Sequence, residues 1–169
     1  MAGLSASAFE HGGPDALGMA AHDFSTNANA CGPCPPALAA VLRADARHYP
    51  DPRYGALRER LAQVHGVQPS RIHLAARGSE FIVRITAAVQ QRGGRTVDAP
   101  RPGYGDYARA ALALDMPLAP ADEAQLVWHG DPASPTGQSP AMPDLAADAV
   151  GVVEMAYAPL RLGGVAVAT

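Results

Sequence analysis

The sequence predicts an α/β domain in which a mostly parallel sheet is flanked by helices and preceded by an N-terminal arm. Short apolar segments alternate with helical patterns from residue 71 onward, which is typical of repeated strand–helix units. Glycine and proline follow most of the apolar segments and mark turns there. The 169 residues, 48% of them hydrophobic, are enough for one domain with a sizeable core.

The first 36 residues are predicted to form the arm and a loop. Residues 2–19 contain Gly12-Gly13-Pro14 in a polar setting, which favours a loose arm with at most one short helix. Residues 23–36 read DFSTNANACGPCPP and contain too many turn-forming residues for regular structure. A proline-initiated helix should follow over residues 37–47.

The middle of the chain supplies the next predicted elements. Residues 48–54, HYPDPRY, should be extended because a residue before proline avoids helical angles. Residues 55–65 have helical spacing and end at Gly66. The apolar run at residues 71–76 predicts a buried strand, and a helix should start at Gly78.

The second half continues the alternation. The predicted elements are a strand at 95–99, a helix at 104–114, a buried strand at 125–129, a loop at 130–140, a weak helix at 143–149 and a strand at 150–155. Ligands of parallel sheets bind beyond the carboxyl ends of the strands. Residues 78, 102–104, 131–137 and 154–157 all follow predicted strands, so we expect them to converge on one crevice.

Gly78-Ser79-Glu80 lies at a predicted strand-to-helix turn. Backbone N–H groups and the positive end of the helix dipole make such a turn suitable for a phosphate, with the Ser79 hydroxyl as a further donor. An ordinary capped helix start has the same residue types. The stretch alone leaves both interpretations open.

Composition excludes several classes of function. The net charge of −3 shows no basic excess that would suggest nucleic acid. No apolar run is long enough to span a bilayer, and residues 1–10 lack the basic start of a signal peptide, so we expect a cytoplasmic protein. All 13 basic residues are arginine. Chemistry that needs a lysine amine is therefore closed to this sequence as written.

Cys31-Gly32-Pro33-Cys34 matches the redox motif of thioredoxin-like proteins. Its context differs, because no apolar strand leads into it and Pro35-Pro36 follow where a redox helix should continue. Two incidental thiols are the preferred interpretation, and a zinc site would need a second ligand pair that the spacing does not provide. Of the six scattered histidines, His129 alone is placed at a strand end, as a candidate pocket residue.

Two tyrosines are candidates for ligand contact. Tyr104 follows Pro102-Gly103 at a strand end, where it could lie flat against a planar ligand. Tyr49, in an extended proline-flanked segment, could reach a partner subunit or a phosphate. Tyr54 and Tyr107 are interpreted as core packing on helices.

Several separate segments, taken together, resemble one family. They are DFSTNANACGP, YPDPRYGALRERLA, RGSEFI, PRPGYGDYARA, DPASPTGQ and VVEMAYAPLR, in the order and at about the spacing seen in fold-type-I pyridoxal-phosphate (PLP) enzymes of the aminotransferase class I/II family. Within that family the pattern is most similar to the threonine-phosphate decarboxylases of cobalamin biosynthesis, with the histidinol-phosphate aminotransferases as close relatives. The resemblance covers roughly residues 10 to 162.

The resemblance implies roles for particular residues. It implies a homodimer, in which Asn29 would lie near an amino-acid substrate. PLP would be contacted by Gly78, Ser79, Glu80, Tyr104, Ser134, Glu154 and Tyr157, with Tyr49 reaching the phosphate of the other subunit. Physically, PLP needs a phosphate anchor, a residue that fixes the ring plane and a carboxylate beside the ring nitrogen.

Three departures qualify these roles. Ser134 stands where the family usually has asparagine, and Glu154 stands in place of aspartate, which displaces the carboxylate by one methylene. The Schiff-base lysine of the family is absent, so no catalytic residue is predicted. We expect residues 1–36 to be the arm and substrate loop, and residues 37–169 to be part of the PLP-binding large domain, whose remainder and small domain are missing.

These observations lead to alternatives for function. The first is a PLP-dependent protein similar to threonine-phosphate decarboxylase, acting on a phosphorylated amino acid in cobalamin biosynthesis, or to histidinol-phosphate aminotransferase. The second is a catalytically inactive relative that serves as a binding or dimerisation module. A thiol-redox protein based on the CGPC motif is the remote third.

Overall fold

The computed structural model describes residues 13, 16–23, 25–26, 28–29, 31–161 and 163. Within these residues the chain forms two compact units. The first contains the described residues up to Thr26 together with those from Ala75 onward, and the second contains those between Asn27 and Leu74. Most of the predicted N-terminal arm lies outside the described residues, and the predicted boundary at residue 36 stays a prediction.

The second unit contains two helices, α1 (Pro35–Arg43) and α2 (Gly55–His65), and a 3₁₀ turn at Pro69–Arg71. Helix α2 has the predicted bounds, and Gly66 ends it in the left-handed conformation at φ 62°. Helix α1 begins two residues earlier than predicted because proline is tolerated in a first turn, where its missing N–H costs nothing. Residues 48–54 form no helix or strand, but they are not extended throughout as predicted, because residues 52–53 form a turn and Tyr54 has the left-handed conformation.

The predicted strand over residues 71–76 is wrong. A 3₁₀ turn occupies its start, and no strand is formed over residues 72–76. The side chains explain part of this difference, since Ile72 and Leu74 are only half-buried. The Ala76 N–H donates to the Glu80 carboxylate at 2.9 Å, so it is used for capping a helix instead of pairing with a strand.

The first unit contains the sheet and the two helices that pack on it. Its elements are α3 (Gly78–Gln91), β1 (Val97–Asp98), α4 (Gly105–Ala113), β2 (Leu126–Gly130) and β3 (Val150–Glu154). The strands form a parallel sheet in the order β1-β2-β3. This arrangement confirms the predicted α/β class with a parallel sheet and flanking helices.

The predicted weak helix at residues 143–149 is wrong, because these residues form no helix. A stretch of this length is too short to hold a helix without strong packing. Instead the segment lies irregularly across β3. A Cβ placed on Gly151 would approach side-chain atoms of Leu145 and Met142 at 2.8 Å, which explains why glycine occupies that strand position.

The core lies between the sheet and the two helices of the first unit. Every residue of β2 is buried, as expected for the central strand of three. The buried core residues are Ile82, Val89, Val97, Tyr107, Ala110, Ala111, Met116, Leu126 and Trp128. Thr86, a buried polar side chain of α3, donates to the Ile82 carbonyl at 2.8 Å. No helix in the described part of the chain is long and apolar enough to cross a membrane.

Candidate functional site

The carboxyl ends of β2 and β3 lie side by side, as the sequence predicts. Gly130 pairs with Glu154 at the last position of the shared register. One residue further, the Asp131 N–H donates to the Glu154 carbonyl at 2.9 Å. The loops that carry the candidate residues Ser134 and Tyr157 therefore start from neighbouring points on one edge of the sheet.

Each carboxylate oxygen of Glu154, at the end of β3, accepts one hydrogen bond. Its Oε1 accepts from the backbone N–H of Ala156 at 2.6 Å. Its Oε2 accepts from the hydroxyl of Tyr107, on α4, at 3.4 Å. The carboxylate is thus held from two directions at the carboxyl edge of the sheet.

Tyr107 is 2% exposed and lies between two other aromatic rings. Its ring stacks on Trp128 of β2, with centroids 4.8 Å apart and an interplanar angle of 6°. The ring of Tyr104 meets it edge-on, at 5.7 Å and 81°. Burial raises the pKa of Tyr107, and the nearby charge of Glu154 raises it further, so the hydroxyl stays protonated and able to donate.

Tyr104 stands directly before α4, and a tight turn places it there. A Cβ on Gly103 would lie 2.2 Å from the Pro100 carbonyl oxygen, so only glycine fits at this turn. The Tyr104 hydroxyl forms a hydrogen bond with the side chain of Ser79, at the start of α3. Burial raises the pKa of Tyr104, while the hydrogen bond with Ser79 opposes that rise.

The start of α3 presents the amide groups of its first turn. These N–H groups have no acceptor within a helix. A Cβ on Gly78 would meet nothing within 4 Å, so there is open space before this turn. The Glu80 carboxylate accepts from the Ala76 N–H at 2.9 Å and pairs with Arg84 at 3.4 Å.

A cavity of about 420 Å³ opens between the facing sides of α3 and α4. Ser79 and three arginines, Arg77, Arg84 and Arg109, lie along it. The buried carboxylate of Asp106 also lines the cavity and pairs with Arg109 at 3.1 Å. The space beside Ser79 therefore has a mixed charge in which positive side chains outnumber negative ones.

The loop after β2 is closed by its own hydrogen bonds. The Ala133 N–H donates to the Gln138 carbonyl and the Gly137 N–H to the Ala133 carbonyl, both at 2.7 Å. Ser134 lies half-buried within this loop. Arg161 forms an ion pair with Asp131 and so ties the loop after β2 to the segment after β3. Tyr157, on that second segment, is half-buried beside the 3₁₀ turn at Ala158–Leu160.

Other predicted residues lie elsewhere. Tyr49 and Asn29 both lie in the second unit. Tyr49 is fully exposed, and the side-chain oxygen of Asn29 accepts from the Cys31 N–H at 3.0 Å. Their proposed roles toward PLP and substrate stay predictions. Cys31 and Cys34 are exposed free thiols. His129 is buried within β2, and its role as a pocket residue stays a prediction. In the described ranges, no group of three His, Cys, Asp or Glu side chains is placed to hold a metal ion.

Three residues of the site were missed or underestimated from the sequence. The sequence predicts only core packing for Tyr107, whereas the structure also brings its ring against that of Tyr104, the residue that caps α4 three positions earlier. Asp131 and Arg161 were not predicted to interact. An ion pair across 30 residues leaves no local pattern in the sequence.

Fold and site together define a class of protein. A three-stranded parallel sheet flanked by helices defines an α/β domain, and in such sheets ligands bind beyond the carboxyl ends of the strands. The fold is similar to that of L-threonine-O-3-phosphate decarboxylase from Porphyromonas gingivalis, with a TM-score of 0.54 at 22% identity. The match covers 70% of this chain and 41% of that structure.

Sequence similarity to curated relatives shows the family of this chain. The chain is 32% identical over 133 residues to histidinol-phosphate aminotransferase of Ruegeria pomeroyi, covering 68% of this chain and 37% of that protein. It is also 32% identical over 148 residues to histidinol-phosphate aminotransferase of Symbiobacterium thermophilum, covering 75% of this chain and 41% of that protein. No family model matches the chain.

The chain belongs to the fold-type-I PLP-dependent aminotransferase family of class I/II, which confirms the resemblance found in the sequence. It spans about two fifths of the length of these curated relatives.

The residues present fit the chemical groups of PLP. The phosphate is matched by open space before the amides of α3 and by the Ser79 hydroxyl. The carboxylate of Glu154, already held by two donors, suits a protonated ring nitrogen. Tyr104 supplies an aromatic ring between these two groups, hydrogen-bonded to Ser79 and edge-on to Tyr107, which itself contacts Glu154.

Proposed function

We propose that this chain supplies the phosphate-binding and ring-binding part of a PLP-dependent, aminotransferase-like protein that acts on an amino acid. One observation carries the proposal. Ser79, Tyr104, Tyr107 and Glu154 form one connected series of contacts within the first unit, from the start of α3 to the end of β3. The two ends of this series match the charges of PLP, since the Ser79 end suits the phosphate anion and the Glu154 end suits the protonated ring nitrogen.

Each residue has a role that its surroundings support. The N–H groups at residues 78–80 and the Ser79 hydroxyl bind the phosphate. Tyr104 would fix the plane of the ring, and Glu154 would accept from the ring nitrogen. Ser134 and Tyr157, on the loops after β2 and β3, would contact the ring oxygen. When bound, PLP supplies an electron sink for the substrate Cα.

We also propose a more specific substrate and assembly, which the family membership suggests. The relatives' names include both a phosphorylated aminotransferase substrate and a phosphorylated decarboxylase substrate, which favours a phosphorylated amino compound. A threonine-phosphate decarboxylase role in cobalamin biosynthesis is the first candidate, and a histidinol-phosphate-type aminotransferase is the alternative. A cytoplasmic homodimer, with Tyr49 reaching the partner's phosphate and Asn29 near the substrate, completes the proposal.

A binding or dimerisation module is the second candidate, and a specific observation favours it. The 169 residues contain no lysine, so they hold no amine of that type to carry PLP covalently or to move a proton. We therefore expect the chain by itself to bind PLP without turnover. Borohydride treatment should leave no PLP attached through a lysine side chain.

The proposal is tested by measuring PLP affinity of matched carboxamide variants. Glu154→Gln removes the charge that faces the ring nitrogen and should weaken PLP binding by about tenfold, equivalent to roughly 1.4 kcal/mol. Glu123→Gln removes an exposed charge in the same unit and should leave affinity unchanged. Equal affinities for all three proteins would contradict the role of Glu154, and no binding by the unsubstituted chain would contradict the proposed function.

A further inference from the structure

We infer that Tyr107 is a positioning residue, which holds the Glu154 carboxylate in place for the pyridine nitrogen of PLP. The inference rests on the proposed function and extends it to a side chain inside the core. Tyr107 would not touch the cofactor nitrogen itself. It would act through the hydrogen bond that its hydroxyl donates to Oε2 of Glu154.

The ring of Tyr107 has almost no freedom to move. It is 2% exposed, it stacks on Trp128 at 4.8 Å, and the edge of Tyr104 closes another side. Because the ring is fixed, the hydroxyl has a fixed position as well, and that position lies 3.4 Å from Glu154. A packing role alone would be served equally well by phenylalanine, so the hydroxyl is the part that needs explanation.

Glutamate at position 154 explains why such a donor would be useful. The side chain has one more rotatable bond than aspartate and therefore loses more conformational freedom when it is fixed. The Ala156 N–H holds Oε1 at 2.6 Å, and the Tyr107 hydroxyl holds Oε2. Each carboxylate oxygen can accept a further hydrogen bond, so both contacts leave room for a ring N–H.

The same contact links the two halves of the proposed site. Tyr104, which would fix the ring plane, meets Tyr107 edge-on, and Tyr107 meets Glu154. The contact between half-buried Tyr104 and buried Tyr107 therefore sets the spacing between the ring of Tyr104 and the carboxylate of Glu154. A shift of α4 or β3 would therefore change the distance between the Tyr104 ring and the Glu154 carboxylate, and displacements of this kind reduce the precision of a site.

The experiment compares the binding of PLP and of its analogue with carbon in place of the ring nitrogen. Tyr107→Phe keeps the buried ring and removes only the hydroxyl. It should weaken PLP binding by about threefold to tenfold, the range expected for one hydrogen bond, and leave analogue binding unchanged. Tyr54→Phe, on an exposed tyrosine of the second unit, is the matched control and should change neither affinity.

A double substitution makes the test specific to Glu154. Once Glu154→Gln has been introduced, adding Tyr107→Phe should cause no further loss of PLP affinity, because both changes act on one contact. Equal weakening of PLP and analogue by Tyr107→Phe, or losses that add in the double variant, would overturn the inference while leaving the proposed function intact. If the unsubstituted chain binds neither compound, the proposed function is wrong and the inference falls with it.

Discussion

The hydroxyl of Tyr107 lies 3.4 Å from Oε2 of Glu154, although 47 residues separate the two in sequence. This contact joins α4 to the end of β3 and places a buried aromatic residue next to a strand-end carboxylate. The helix that packs on the sheet thereby also shapes the edge of the sheet where a ligand would bind. Tyr107 belongs both to the core and to the candidate site, so a substitution that alters core packing should also alter ligand binding.

The turn before Tyr104 gives the first prediction. Gly103→Ala should lower the free energy of unfolding by about 1–3 kcal/mol, because its Cβ would lie 2.2 Å from the Pro100 carbonyl oxygen and the backbone would have to move. Chemical denaturation of both proteins measures the difference. Gly55→Ala is the control, since its Cβ would make an ordinary 3.5 Å contact with Asp51 and should cost less than about 0.5 kcal/mol. Similar losses for the two variants would contradict the crowding at Gly103.

Glu80 gives the second prediction, which separates helix capping from an exposed ion pair. Glu80→Ala should lower the free energy of unfolding by about 1 kcal/mol, since the Ala76 N–H would lose its acceptor at 2.9 Å. Arg84→Ala removes only the partly exposed ion pair and should cost less than about 0.5 kcal/mol. Urea unfolding of the two variants in parallel provides the comparison. An equal effect of both would indicate that the ion pair, and not the cap, is the stabilising contact.

Asp23 gives a prediction about pH. Hydrogen bonds from the Ser25 hydroxyl first, and then from the Thr26 hydroxyl, lower its pKa from 3.8 to about 2. Because the folded pKa is the lower one, the stabilisation is present above about pH 4 and is lost as pH falls through 2. Ser25→Ala should raise the pKa of Asp23 toward 3.8, as followed by carbon NMR of the carboxyl group. Ser70→Ala, on an exposed serine elsewhere, should leave the titration curve unchanged, and an unchanged curve for Ser25→Ala would contradict the assignment.

Much of the fold could be predicted because local patterns and tertiary packing agree. Helix α2 has its predicted bounds since Gly66 supplies the left-handed residue that ends it. Strand β2 was predicted from a run of apolar residues that the central position of a parallel sheet requires. The family was predicted from several motifs in order, and its relatives confirm it.

The failures have physical causes that local sequence does not reveal. The apolar run at residues 71–76 has the composition of a strand, yet its Ala76 amide is taken by Glu80. Residues 143–149 have weak helical spacing, which the packing of Leu145 against Gly151 overrides. The Tyr107–Glu154 and Asp131–Arg161 contacts depend on how separate elements pack together. The spacing of residues along the chain does not predict such contacts.

The central claim is that this chain binds the phosphorylated pyridine ring of PLP through the start of α3 and the end of β3. Calorimetric titration with pyridoxine 5′-phosphate tests it most directly, because this compound lacks the aldehyde and cannot react with any amine. We predict saturable binding of one molecule of pyridoxine 5′-phosphate per chain. Pyridoxine should bind at least about tenfold more weakly, because it lacks the phosphate. No saturable binding, or equal affinity for the two compounds, would contradict the account.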